Sequence, residues 1–124
     1  MNRILIIDEK ESIYFFLKTI IESSACIIDT ATDYIEACKM LRTHTYDVLI
    51  AAMDIESDSL TDRACLFDIL QDLSCNIRLI TLTDSGNPDS MEAAYGIGAD
   101  FYFEKPVTLR VMANSLESLG VAFI

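Results

Sequence analysis

Two acids stand side by side at Asp8-Glu9, a threonine hydroxyl at Thr83, and a lysine at Lys105 just before Pro106. Each closes or follows a short apolar run that reads as a β-strand. Paired carboxylates can hold a hard divalent cation, usually Mg2+, while an ammonium and a hydroxyl can neutralise and orient phosphoryl oxygens. Phosphoryl transfer needs little more, because positioning and charge neutralisation carry most of its catalysis. The missing part is the nucleophile. The run Tyr46-Asp47-Val48-Leu49-Ile50-Ala51-Ala52 ends on alanine, where its surroundings call for a reactive carboxylate, and the acidic loop Met53-Asp54-Ile55-Glu56-Ser57-Asp58 follows.

The elements that would position these residues alternate along the chain. Ile4 to Ile7 reads as a strand buried on both faces, followed by a helix over 11–23 with Ile13, Phe16, Leu17, Ile20 and Ile21 on one side. Cys26 to Thr30 is the second predicted strand, and Tyr34 to Thr43 a helix capped by Asp33. Tyr46 to Ala52 is the third strand; Thr61 to Leu73 a helix capped by Ser59 or Thr61. Ile77 to Leu82 is the fourth strand. The next helix starts near Pro88, with Asn87 as cap, and ends near Gly96-Ile97-Gly98. Asp100 to Phe103 and Thr108 to Leu119 are the last strand and helix. Five βα units imply one α/β domain over 1–124, a five-stranded parallel doubly wound sheet with helices on both faces. Ligands of such a sheet gather at the strands' carboxyl ends. Asp8, Glu9, Ala52, Thr83 and Lys105 all fall there, which scattered surface charges would not do.

Composition narrows the function. The chain has 124 residues, 52% hydrophobic, and a net charge of -11. Such an acidic domain is not expected to grip a nucleic-acid backbone, which needs clustered Lys and Arg. No apolar run reaches the length of a membrane span, and Met1-Asn2-Arg3-Ile4 enters a strand without a signal peptide, so a cytoplasmic setting is expected. Cys26, Cys38, Cys65 and Cys75 lack metal-ligand spacing and read as reduced thiols, and His44 as a helix-terminal residue. Asp54, Glu56, Asp58 and Asp62 alternate like a calcium loop. Ser59 and Cys65, however, occupy the positions where that motif needs Gly and Glu. Taken singly, the site residues have ordinary readings: Asp8-Glu9 as helix-capping acids, Thr83 as a strand former, Lys105 as an exposed lysine. Their shared edge favours the site.

The chain resembles the receiver domain of two-component response regulators over nearly its whole length. The stretches that carry this are Ile4-Leu5-Ile6-Ile7-Asp8-Glu9, Tyr46-Asp47-Val48-Leu49-Ile50, Ile80-Thr81-Leu82-Thr83, and Gly98-Ala99-Asp100-Phe101-Tyr102-Phe103-Glu104-Lys105-Pro106. The resemblance implies the flavodoxin-like strand order 2-1-3-4-5. It also implies Asp8 and Glu9 as metal acids, Thr83 as switch hydroxyl, Tyr102 as switch aromatic, Lys105 as pocket lysine, and a cis bond at Pro106.

Departures from the pattern are as informative. Alignment on the third run places the family's phosphoacceptor at Ala52, and a methyl group can neither attack phosphorus nor ligate metal. Asp84 replaces a residue that is normally small, and its carboxylate would repel an incoming phosphoryl dianion. Glu56 and Leu60 stand where proline and glycine are usual. Asp54 shares a strand face with residue 52 but lies one pleat, about 6–7 Å, further along. Without its usual aspartate, Lys105 is expected to find its counter-charge in Asp84, Asp8 or Asp54, since an unpaired buried ammonium is costly.

These residues describe a degenerate receiver, with no catalytic residues of its own and weakened Mg2+ binding, that signals by protein contact. Implied partners are a histidine kinase, a phosphotransfer protein or an output protein. Residues 88–119 are the expected output face, with homodimerisation through it a further expectation. Ala93, Ala94 and Tyr95 read equally as a contact patch or as ordinary core and surface. Alternatives are a phosphoaccepting receiver using Asp54, or one whose native aspartate was changed to give Ala52. A flavodoxin-like cofactor binder is disfavoured, because Asp8-Glu9-Lys10-Glu11 would repel a phosphate. The apolar end, Gly120-Val121-Ala122-Phe123-Ile124, reads as a docked tail or a domain cut from a longer protein.

Overall fold

The apolar run at the start of the chain becomes the centre of the sheet. Ile4, Leu5 and Ile7 have no exposed surface and Ile6 only 2%, as a strand covered on both faces requires. This computed structural model describes residues 2–8, 26–52, 66, 68–72, 77–83, 95, 98–104 and 107–120. Within them lie β1 (Asn2–Ile7), β2 (Cys26–Ala31), α1 (Tyr34–Thr43), β3 (Val48–Ala52), β4 (Arg78–Thr83), β5 (Phe101–Glu104) and α2 (Leu109–Ser118). Residues 66 and 68–72, inside the third predicted helix, and Tyr95, inside the fourth, are also helical. The first predicted helix lies outside the described residues.

All strand pairs are parallel, in the order β2-β1-β3-β4-β5. The strand order and the doubly wound architecture are those expected. Alternation along the strands divides the core into two layers. Leu5, Ile7, Leu49, Ala51 and Leu79 pack with Tyr34, Ala37, Cys38 and Leu41 of α1 and with Leu66 and Leu70. On the other face Ile4, Ile6, Val48, Ile50, Ile80 and Leu82 pack with Met112 and Leu116 of α2. Ten-residue helices are marginal alone in water, so these buried stripes hold α1 and α2 in place.

Local chemistry sets the ends. Asp33 caps α1, its Oδ1 accepting the Glu36 N–H at 2.7 Å. Glu36 reaches back to the Thr32 N–H and hydroxyl at 3.3 and 3.2 Å, a variant of the reciprocal capping box. At the other end the His44 N–H donates to the Met40 carbonyl at 2.9 Å, the helix-terminal position expected of this residue. Thr108 caps α2 by accepting the Val111 N–H at 3.2 Å. Past α2, Gly120 takes φ +93°, left-handed backbone that favours glycine. Cys38 is a buried free thiol, and Cys26 opens β2 as expected; Cys65 and Cys75 lie outside the described residues.

Four strand starts differ from the sequence-based expectation, the first being β1, which begins at Asn2 rather than Ile4. β3 begins at Val48 rather than Tyr46, β5 at Phe101 rather than Asp100, and β4 runs from Arg78 to Thr83, one residue late. Asp47 and Asp100 lie outside the strands because their carboxylates perform the ladder's work. The Arg3 N–H donates to Asp47 Oδ2 at 2.8 Å, and the Leu79 N–H to Asp100 Oδ2 at 2.9 Å.

Candidate functional site

Register brings three of the predicted residues, Asp8, Ala52 and Thr83, to one edge. Ile7 of β1 is level with Ala51 of β3, so Asp8 and Ala52 follow one step later on neighbouring strands, which lie roughly 4.8 Å apart. Ala52 is level with Leu82, and Thr83 with Glu104. The row Asp8, Ala52, Thr83, Glu104 thus crosses four adjacent strands at their carboxyl ends. Asp8 is 6% exposed and Thr83 fully buried. The Asp8 N–H donates to the Ala31 carbonyl at 3.1 Å, which carries backbone pairing one residue past β1. Tyr102 is level with Thr81, whose hydroxyl donates to the Phe101 carbonyl at 3.3 Å. Its half-buried ring lies 6.3 Å from that of Tyr95, which is 52% exposed.

Glu9, Asp54, Asp84, Lys105 and Pro106 lie outside the described residues, as do the acidic loop after β3, the expected Lys105 ion pair and the cis bond. Glu104 is a site-edge acid that the sequence reading quoted without weighing. Its signal was available, since it directly precedes Lys105 and so falls at the strand end.

A family-type Mg2+ site needs several carboxylate oxygens in one place. At this edge the described residues supply the Asp8 carboxylate, an alanine in place of an acid one strand away, and Glu104 three strands away on β5. No group of three or more His, Cys, Asp or Glu arranged to hold a metal occurs among the described residues. The described donor set does not fit a complete hard-cation site.

A second polar cluster, missed in sequence, lies at the opposite end of the sheet. Asp29 Oδ2 receives the Arg3 Nε–H at 2.9 Å, Arg3 Nη2 at 2.9 Å and the Tyr46 hydroxyl at 2.7 Å. The guanidinium also lies over the Tyr46 ring, 5.3 Å from its centroid. Hydrogen bonding to Asp29 pushes Arg3 above its ordinary value. Burial, and then donation to Asp29, push the Tyr46 phenol up to about 12. The available signal was charge within an apolar context: Asp29 directly follows Ile27-Ile28, and Arg3 directly precedes the apolar run Ile4 to Ile7. Beside this cluster is a cleft of about 170 Å³ lined by 41–46 and Ile77, small against the several hundred Å³ of ordinary ligand sites.

The family model for the response regulator receiver domain matches residues 4–117. Among solved structures, a CheY-like receiver domain protein from Methanospirillum hungatei JF-1 is 20% identical, with 96% of this chain and 94% of that chain covered at a TM-score of 0.79. The receiver domain of an HD domain-containing protein from Pseudomonas fluorescens Pf-5 is also 20% identical, covering 95% and 93%, with a TM-score of 0.80. A Burkholderia pseudomallei response regulator, solved with a phosphorylated aspartic acid, a calcium ion and citrate, is 22% identical. There the match covers 94% of this chain and 66% of that chain, with a TM-score of 0.78. No curated protein matches. Identities this low carry the fold alone.

Proposed function

The chain belongs to the response regulator receiver domain family, and from that premise we propose that it signals by protein contact without aspartyl phosphorylation of its own. Receiver domains of two-component systems work through protein partners. For this chain the partner is a histidine kinase, a phosphotransfer protein or an output protein. One observation carries the proposal: residue 52, which closes β3 between Asp8 and Thr83 in the row, is alanine. An alanine side chain has no lone pair with which to attack phosphorus and no oxygen for a metal, so nucleophile and ligand are lost together.

The rest of the reading follows the same residues. Asp8 and Glu9 would hold Mg2+ weakly, because the set lacks the carboxylate at 52. When bound, the ion would offset negative charge on neighbouring oxygens. Thr83, Tyr102 and Lys105 match the family's switch and pocket residues in sequence, which supports a two-state switch biased by a partner. Residues 88–119 are the proposed contact face, including any homodimer. Neither nucleic acid nor membrane is a proposed ligand. No described helix is long and apolar enough to cross a membrane, and a cytoplasmic setting belongs to the proposal.

Intact-protein mass after incubation with a small phosphodonor and Mg2+ tests it, with Ala52→Asp and Asp54→Asn variants alongside. No adduct on the parent is expected, and one phosphoryl group on Ala52→Asp. An adduct on the parent that disappears in Asp54→Asn would overturn the proposal in favour of a phosphoaccepting receiver.

A further inference from the structure

The short strand β5 has no hydrophobic pattern to fix its register. Phe101, Tyr102 and Phe103 are all half-buried aromatics, and they alternate between the two faces. Where one face is buried and the other polar, a slip of one residue would exchange the two, and that difference specifies register. Here a slip replaces aromatic with aromatic. It would move Tyr102 away from Thr81 and Glu104 away from Thr83, the pairs observed.

Asp100 supplies what the pattern lacks. In a parallel pair the first residue of a strand meets an N–H and a C=O of its neighbour, yet the chain before it has turned away and offers no carbonyl. The Asp100 N–H donates to the Leu79 carbonyl at 2.8 Å, and its own Oδ2 takes the Leu79 N–H at 2.9 Å. Leu79 is thereby held at both backbone groups by one residue. The carboxylate's other oxygen is 3.9 Å from Arg78 Nη1, at a side chain 63% exposed, so that pairing adds little. Asp47 makes the same bracket at the start of β3: its N–H donates to the Arg3 carbonyl at 2.8 Å and its Oδ2 accepts the Arg3 N–H at 2.8 Å. Two independent occurrences, each directly before a strand apolar on both faces, argue for a device rather than a chance contact.

We infer that Asp100 is a positioning residue whose bracket on Leu79 fixes the register of β5, and with it the placement of Tyr102 and Glu104 beside Thr81 and Thr83. This inference rests on the proposed function only in treating Thr83 and Tyr102 as functional residues. Its test uses neither phosphodonor nor partner, so either can fail without the other.

NMR on the full chain, comparing the parent with Asp100→Ala and Asp100→Asn, decides it. Asp100→Ala is expected to lose the cross-strand contacts Thr81–Tyr102 and Thr83–Glu104 while the β1–β2, β1–β3 and β3–β4 contacts persist. Its Leu79 amide should exchange roughly ten- to a hundredfold faster, as expected on losing a hydrogen bond to a charged acceptor. Asp100→Asn keeps a carbonyl oxygen at the same reach and should restore both contacts. Unchanged contacts and exchange in Asp100→Ala would overturn the inference. Loss of the contacts in Asp100→Asn would also overturn it, by moving the effect to charge on Arg78. Should Asp100→Ala fail to fold, the parent and Asp100→Asn still decide. The Leu79 amide is expected to be protected from exchange to a similar extent in both chains, since either side chain offers it an oxygen; exchange at the rate of an exposed amide in either chain refutes the bracket.

Discussion

Removing a single carboxylate at residue 52 changes two properties of the edge at once, the nucleophile and the cation's ligand set. Other residues cannot replace it by charge alone, because in-line attack is a matter of position. At the far end of the sheet, Tyr46 shows the opposite economy, with one phenol joined to an ion pair. Its value is pushed up to about 12 from 10.0, chiefly by burial and then by the bond to Asp29. The folded value lies above the unfolded one, so this contribution is complete below pH 10.0 and fades as pH rises towards about 12. Tyr46→Phe is therefore expected to cost about 1.5 kcal/mol at neutral pH. It should also flatten the loss of stability between those two values. Urea midpoints of parent and variant at pH 8 and pH 11 measure both effects, and equal pH slopes in the two chains would refute the assignment.

Elements were legible in sequence where one signal dominated. The boundaries of α1 matched at both ends because Asp33 is a strong cap and the apolar stripe ends at Leu41, in the last turn. Asp33→Ala should cost about 1 kcal/mol in a urea titration, and Asp33→Asn much less, since the amide oxygen can still accept the Glu36 N–H. For α2, Thr108 and Leu119 were read as helical and are the caps. Strand starts were less legible, because apolar runs and β-propensity do not register a side chain that substitutes for a carbonyl. Asp47 and Asp100 were absorbed into strands on that account. Of the candidate site, the strand-end positions of Asp8, Ala52 and Thr83 were legible, since residue order along a doubly wound sheet fixes which strand ends adjoin. The cluster of Arg3, Asp29 and Tyr46 was not, because it joins β1, β2 and the residue two before β3, whose adjacency no local pattern states.

Across the molecule, the five-stranded parallel sheet carries its polar groups at both ends and its apolar residues between them. One end gathers Asp8, Thr83 and Glu104 around the alanine; the other gathers Arg3, Asp29, Tyr46, Asp47 and Asp100, which hold the strands together. Site and scaffold are thus separated along the strands, so a substitution at residue 52 leaves the scaffold's hydrogen bonds intact. Ala52→Asp should accordingly fold with the parent's strand register, and two-dimensional NMR spectra of the two chains can check this directly. The central claim is that no phosphoryl group operates the switch in the parent. Amide spectra of the parent in Mg2+, recorded before and after adding a small phosphodonor, test it most directly through the Thr83 and Tyr102 resonances. The account predicts that neither moves in the parent and that both move in Ala52→Asp; movement of both in the parent would contradict it.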